Sequence, residues 1–164
     1  MTDPSRAFLD KSRSLLMFDY VPTIEQCLDR LSVDDIWWRP NESSNSIGNL
    51  ILHLCGNVQM WIIGGVGNLP FERNRQMEFD ERQHIPADEL RRRLTRVVEH
   101  ADAVISAVGA EDLLSRRQIQ GYDVTLLEAI YHVVEHFSMH TGQIIVLSKA
   151  RVAQDLKLWE PPSV

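Results

Sequence analysis

The chain has 164 residues, a formal net charge of −6, and a composition of 44% hydrophobic and 24% charged residues that is ordinary for a globular protein. This length can bury one sizeable core, so we expect a single domain over residues 1–164. The acidic balance disfavours partners that need a clustered positive surface. We therefore expect neither nucleic acid nor an anionic membrane surface as a partner.

The cysteines and the N-terminal sequence bear on the compartment. Cys27 and Cys55 each lie in an apolar helical pattern without a CxxC spacing, which predicts buried, reduced thiols. The N-terminal stretch MTDPSRAFLDKSR is polar and has no apolar core before a cleavage site, so no signal peptide is expected. Together these features predict a cytoplasmic protein.

Between Glu42 and Glu72 the chain contains no Asp, Glu, Lys or Arg. A membrane span needs about 20 predominantly apolar residues. This stretch is interrupted by Asn49, His53 and Asn57, so it indicates instead a helix that is buried on several sides.

Apolar residues recur at three- and four-residue spacings and strand signals are weak throughout, which predicts an all-α fold. The first helix is predicted over about residues 5–31, with a kink or a break at Pro22. Ser44 or Ser46 can cap the second helix, which is predicted to end near Ile63 because two glycines follow.

Two more long helices are predicted after a long connection. The loop of residues 64–85 exceeds the usual length for a helix–helix connection, and such loops are commonly functional or disordered. The third helix is predicted over about residues 86–109, and the fourth from just after Asp123 or Thr125 to about Ala150. Four helices of this length suit a four-helix bundle.

Histidines are concentrated in the second and fourth predicted helices. In the fourth, apolar residues recur at alternating steps of four and three, which is typical of a core-facing seam, and His140 occupies one of its positions. His136 lies one turn earlier and points inward with His140, whereas His132 points towards the flank. Two imidazoles four residues apart can reach one ion, so a third ligand must come from another helix.

His53 is the candidate third ligand because it is the histidine of the charge-free segment. On a helical wheel it lies beside the apolar stripe, near Asn57, and the sequence leaves open whether it faces the fourth helix. Three neutral imidazoles with an open fourth position suit zinc, nickel, cobalt or iron(II). The alternative is that these histidines form a hydrogen-bonded polar ladder in the core without any metal.

Three stretches of the sequence resemble the DinB/YfiT-like superfamily. HVVEHFSMHTGQI, residues 132–144, resembles its last helix. WWRPNESSNSIGNLILHLCGNVQMWI, residues 37–62, is similar to its second-helix region, which carries a single metal-binding histidine. With RNRQMEF, residues 73–79, these pieces resemble an uncharacterised DinB-like branch.

The resemblance implies a four-helix bundle with up-down-down-up connectivity and a homodimer. It also implies metal ligands at His53, His136 and His140, in agreement with the helical wheel. His132 matches an additional upstream histidine of some relatives, which makes it a supporting group or an alternative ligand.

Characterised members of the superfamily include transferases and isomerases that use low-molecular-weight thiols. The resemblance therefore implies a metal-dependent enzyme, and the leading hypothesis is a thiol S-transferase-like protein whose metal holds a cofactor thiolate. Zinc or nickel is the first expectation, with iron or cobalt as alternatives. Candidate contacts to a small-molecule substrate or a carboxylate-bearing thiol are Arg39, Asn41, Asn57 and Arg75, although loop salt bridges or caps explain such residues equally well.

Two other functions stay open. Other relatives are labelled metal-dependent hydrolases, and hydrolysis needs a general base near the ion. Glu135 is the nearest acidic residue in sequence, but it lies about 160° from the seam centre and is predicted to face solvent. The third hypothesis is a non-catalytic stress protein that binds a metal or a small ligand. Trp61, Ile62 and Ile63 could then form a dimer surface, although they are more simply explained as core residues.

Overall fold

The computed structural model describes residues 3–152 and 155–158. Helix α1 covers residues 4–28 without interruption, as Pro4–Ser14, a π-helical stretch Leu15–Tyr20, and Val21–Leu28. Pro22 is the second residue after the π-helical stretch. Because proline has no N–H to donate, a regular helix would lose a hydrogen bond here, and the widened turn lets the chain continue past it.

A short helix and a turn precede the second long helix. Helix α2, Val33–Trp37, starts at a capping box formed by Ser32. Helix α3, Ile47–Val66, starts at a capping box in which Ser46 accepts from the Asn49 N–H, and its last part is π-helical. Of the two predicted caps, Ser46 is therefore the one used.

Helix α3 does not end near Ile63 as predicted, because Gly64 and Gly65 remain helical. A Cβ atom at Gly64 would overlap the ring of Phe71, and one at Gly65 would overlap the side chain of Ile119. Both glycines are thus places where another segment packs closely on the helix rather than stop signals.

The long connection contains a short helix, α4, over Arg75–Asp80. Helix α5, Ala87–Ser106, follows and ends slightly before the predicted Gly109. A 3₁₀ turn, Ala110–Leu114, then leads to a β-hairpin.

The hairpin was not predicted. Strands β1, Arg116–Ile119, and β2, Tyr122–Thr125, pair in antiparallel register. Gln120 and Gly121 connect them with φ of 53° and 84°, and two consecutive positive φ angles are what a tight two-residue hairpin turn requires. The strands are too short to give a clear alternation in the sequence.

Helix α6, Leu126–Arg151, is the longest helix that the structure describes. Thr125 and Glu128 form its capping box, which confirms the predicted start of the fourth long helix. Within the described residues, α1 and α3 each pack against both α5 and α6. The all-α class is confirmed, while the up-down-down-up order, the single domain and the homodimer stay predictions.

Helix α3 is long and apolar enough to cross a membrane, yet 78% of its most apolar stretch is buried inside the fold. The helix is therefore a core element, as its interrupted apolar pattern predicts. Cys27 is buried, Cys55 is partly buried, and both are free thiols. The cytoplasmic location stays a prediction.

Candidate metal centre

Three histidines from two helices converge on one point. His53 comes from α3, and His136 and His140 come from successive turns of α6. One ring nitrogen of each lies within 4.8 Å of the others, and the Nε2 atoms of His53 and His136 are 3.0 Å apart. His53 and His140 are only 5% and 8% exposed, and His136 is partly buried. The structure thus brings together the triad predicted from the sequence.

Hydrogen bonds on the far side of two rings determine which nitrogens face the centre. His53 donates its Nδ1–H to Glu78 Oε2 at 2.8 Å, and His140 donates its Nδ1–H to Gln143 Oε1 at 2.7 Å. A neutral imidazole that carries its proton on Nδ1 keeps a lone pair on Nε2. In the described chain, His140 Nε2 is also buried without a hydrogen-bond partner. An electron-pair donor left unsatisfied in this way suits a metal ligand.

The spacing of these nitrogens fits a divalent ion. Zinc–nitrogen bonds of about 2.1 Å in a tetrahedral site place the ligand nitrogens about 3.4 Å apart. The 3.0 Å between His53 and His136 and the limit of 4.8 Å for the whole set lie on either side of that value. Small side-chain movements would complete the geometry, so the three histidines can hold a divalent metal.

The triad is suited to ligation by its protonation state as well. Burial, together with the neighbouring imidazoles of His140 and His53, lowers the pKa of His136 to about 3. Burial is also the main reason why the pKa of His140 is below its ordinary value. Both rings are therefore neutral near pH 7, which is the form that binds metals.

Glu78 is a residue of the site that the sequence did not reveal. Its carboxylate accepts from Arg73 Nε at 2.6 Å and Nη2 at 2.9 Å, in addition to His53. The side chains of Arg73 and Glu78 are only 4% and 10% exposed. Burial alone would raise the pKa of Glu78, but the hydrogen bonds from Arg73 and His53 outweigh it and hold the pKa below its usual range. In the sequence, the indication of this pair was the presence of charged residues in the unusually long loop of residues 64–85.

His132 lies beside the triad and is not one of the three convergent ligands. Its ring centroid is 5.4 Å from that of His136 and 4.2 Å from that of Trp61. Asn57 Nδ2 lies 3.2 Å from His132 Nε2, and within the described residues Asn57 Oδ1 is buried without a partner. Burial lowers the pKa of His132. His132 therefore lies next to the triad, and its role as a supporting group or an alternative ligand stays a prediction.

With this geometry established, comparison with known proteins identifies the family. A family model described as "Protein of unknown function (DUF1572)" matches residues 3–162. The chain belongs to the DUF1572 family. A solved DinB-like protein from Bacillus cereus ATCC 10987 is similar in structure, with a TM-score of 0.69 and 18% sequence identity over 92% of this chain and 95% of that one. No curated protein matches the sequence. The predicted membership of the DinB/YfiT-like superfamily is confirmed.

Two of the candidate cofactor contacts of this DUF1572 protein bind other parts of the chain. Arg39 donates from Nη2 to Asn49 Oδ1 at 2.6 Å and to the Phe79 carbonyl at 3.2 Å. Asn41 accepts from the backbone and hydroxyl of Ser43 and so closes its own exposed turn. Both contacts are structural, and cofactor binding by Arg39 or Asn41 stays a prediction.

Arg75 is better placed for a ligand. Its side chain is exposed, and its guanidinium carbon lies 4.9 Å from the centroid of the Phe79 ring. The Phe79 ring in turn lies 4.7 Å from the ring of His53. Arg75 is therefore separated from the triad by one aromatic ring, although its role in binding also stays a prediction.

Proposed function

We propose that this DUF1572 protein is a metal-dependent enzyme of thiol S-transferase type, with zinc or nickel held by His53, His136 and His140. The observation that carries the proposal is the convergence of three imidazoles, one with a buried Nε2 that has no partner among the described residues, in a DinB-like fold. A divalent ion there would supply Lewis acidity and a positive charge that favours the thiolate form of a cofactor thiol.

The remaining parts of the proposed site come from the chain itself. The three ligands carry no charge, so they leave the charge of the ion uncompensated and favour an anionic fourth ligand. Arg75 is the candidate for a carboxylate of the thiol cofactor, because guanidinium groups pair well with carboxylates. Asn57 Oδ1 is buried and unpartnered among the described residues, and it could accept a hydrogen bond from a bound small molecule.

Hydrolysis ranks second because it requires a free base near the ion. Glu135 is exposed, as its position on the helical wheel predicts. Glu78 is close to His53, but each of its oxygens already accepts a hydrogen bond from Arg73. These contacts favour a transferase over a hydrolase.

The metal site is tested by elemental analysis of protein purified without a histidine tag. We expect about one divalent ion per chain in the wild type, from the three convergent ligands of a single site, and almost none in His140→Ala. His132→Ala is the matched control, since it removes a neighbouring imidazole outside the triad, and it should retain the metal. Equal metal content in the wild type and His140→Ala would overturn the assignment.

The enzymatic part is tested separately with metal-loaded protein. Glutathione, bacillithiol and mycothiol are each supplied with a model electrophile, and thioether formation is followed for the wild type and His140→Ala. Turnover that requires both the metal and a thiol supports the proposal. Thermal stabilisation by a thiol without turnover would instead support the non-catalytic binding protein, and thiol-independent ester cleavage would support the hydrolase.

A further inference from the structure

We propose that Glu78, held in place by Arg73, is a positioning residue that sets the tautomer and ring orientation of His53 and thereby controls metal affinity. This inference rests on the proposed metal site. It assigns a role to the segment 73–80, which is otherwise a surface connection between α3 and α5.

The chemistry of the contact explains why a carboxylate is needed. Arg73 Nη2 lies 3.3 Å from His53 Nδ1, and Glu78 Oε2 lies 2.8 Å from the same nitrogen. A guanidinium has only donors, so the carboxylate is the group of this pair that can accept the Nδ1–H. With the proton on Nδ1, the lone pair of Nε2 is directed to the metal position, as in the carboxylate–histidine–metal arrangements of many metalloproteins.

Loss of the carboxylate would do more than remove one hydrogen bond. Without Glu78, Arg73 could donate an N–H to His53 Nδ1, which would move the imidazole proton to Nε2. That tautomer has no lone pair towards His136 and His140 and cannot bind the metal until it gives up the proton. Arg73 therefore helps the site only while Glu78 is present.

Residues that do not contact the metal position hold the backbone around Glu78 in place. Asn49 is fully buried, and its amide donates to the Glu78 carbonyl at 2.8 Å and to the carbonyl of Glu81 at 3.3 Å. Gly56 of α3 makes room for the ion pair: a Cβ atom there would overlap Glu78 Oε1 and lie 2.7 Å from Arg73 Nε. A methyl group at this position would displace the pair without removing any polar group.

The first experiment replaces Glu78 by Gln, which keeps the size and removes the charge. Asp80→Asn is the matched control, because it removes the same charge from an exposed position of the same helix. Metal affinity is measured by chelator competition with zinc, and the position of the His53 proton by ¹⁵N NMR of the metal-free protein. Glutamine has one acceptor oxygen where glutamate has two, and we expect Arg73 to occupy it, so that the glutamine NH2 group faces His53 Nδ1. Glu78→Gln should then bind zinc about 10- to 100-fold more weakly and carry the His53 proton on Nε2.

The second variant, Gly56→Ala, displaces the ion pair without removing a polar group, so it separates the orienting role of Glu78 from a general folding defect. It should weaken zinc binding and shift the His53 tautomer in the same direction as Glu78→Gln, while Gly142→Ala, on the open surface of α6, should change neither. Unchanged affinity and an unchanged tautomer in both Glu78→Gln and Gly56→Ala would overturn the inference. The tautomer is read without metal, so a wild type that binds no zinc would refute the proposed function but not the orienting role of Glu78.

Discussion

The two sides of the candidate metal centre are built in different ways. On the α6 side, His140 is oriented by Gln143, an exposed neutral amide three residues further along the same helix. On the α3 side, His53 is oriented by a buried ion pair from a segment that begins twenty residues later in the chain. One side therefore depends on local helix geometry and the other on tertiary docking.

The α6 half of the centre is therefore preorganised, whereas the α3 half has to be assembled. A helix places residues four apart on the same face whenever it forms, so His136 and His140 are set by α6 alone. His53 becomes a suitable ligand only when the segment 73–80 is docked on α3. We expect perturbations of the α3 side to have larger effects than equivalent perturbations of the α6 side.

The largest effect should come from removing a ligand on either side. His53→Ala and His136→Ala should each weaken zinc binding by more than about 100-fold, since loss of a direct ligand exceeds the 10- to 100-fold typical of outer hydrogen-bond partners. Chelator competition measures the affinities. His100→Ala, at an exposed position of α5, is the control and should bind like the wild type. A variant that keeps tight binding without His53 would show that α6 suffices by itself.

The next largest effect should come from removing Asn49, whose side-chain amide holds α4 against α3. Asn49→Ala removes hydrogen bonds to the carbonyls of Glu78, Phe79 and Glu81 and should lower the free energy of unfolding by about 1–3 kcal/mol, because buried polar groups lose their partner. Denaturant unfolding measures this loss, and hydrogen exchange should increase first in residues 78–81. Asn41→Ala, in an exposed turn, should cost less. Equal losses in the two variants would argue against a special role for the docked segment.

The α6 side should dominate the response to acid. The pKa of His136 is 6.5 in the unfolded chain and about 3 in the folded protein, mainly because of burial. Between these pH values the unfolded chain binds a proton on His136 while the folded ring stays neutral. In the metal-free protein this contribution to stability is complete above about pH 6.5 and is lost as the pH falls towards 3. His136→Gln should flatten that part of the stability–pH curve, measured by denaturant titration. An unaltered slope would mean that His136 is already protonated in the folded state.

The smallest of these effects is expected at Gln143. Gln143→Leu removes one neutral hydrogen bond to His140 from an exposed side chain, which corresponds to about 0.5–1.5 kcal/mol, or roughly a 2- to 10-fold weaker affinity for zinc. Titration against the same chelator gives a direct comparison with Glu78→Gln. If Gln143→Leu has the larger effect, the proposed order of the two sides is reversed.

Features that depend on near neighbours along the chain could be predicted from the sequence. The 3.6-residue period placed His136 and His140 on one inward face. The start of their helix was predicted just after Asp123 or Thr125, and the structure shows that Thr125 is the cap. The all-α class follows from the same periodicity. His53 was identified as a candidate, but its direction was left open because no short-range pattern relates α3 to α6.

Features that join distant segments of the chain depend on tertiary packing and could not be predicted. Gly56 and Gly64 are contact points for residues of the following loop, although glycines in a sequence suggest only an end or a break. The pairing of His53 with Glu78 depends on how α4 docks, and charges in a polar loop do not reveal their partners. Helix periodicity is a local property, whereas a ligand's tautomer is set by whichever side chain the folded chain brings to its second nitrogen.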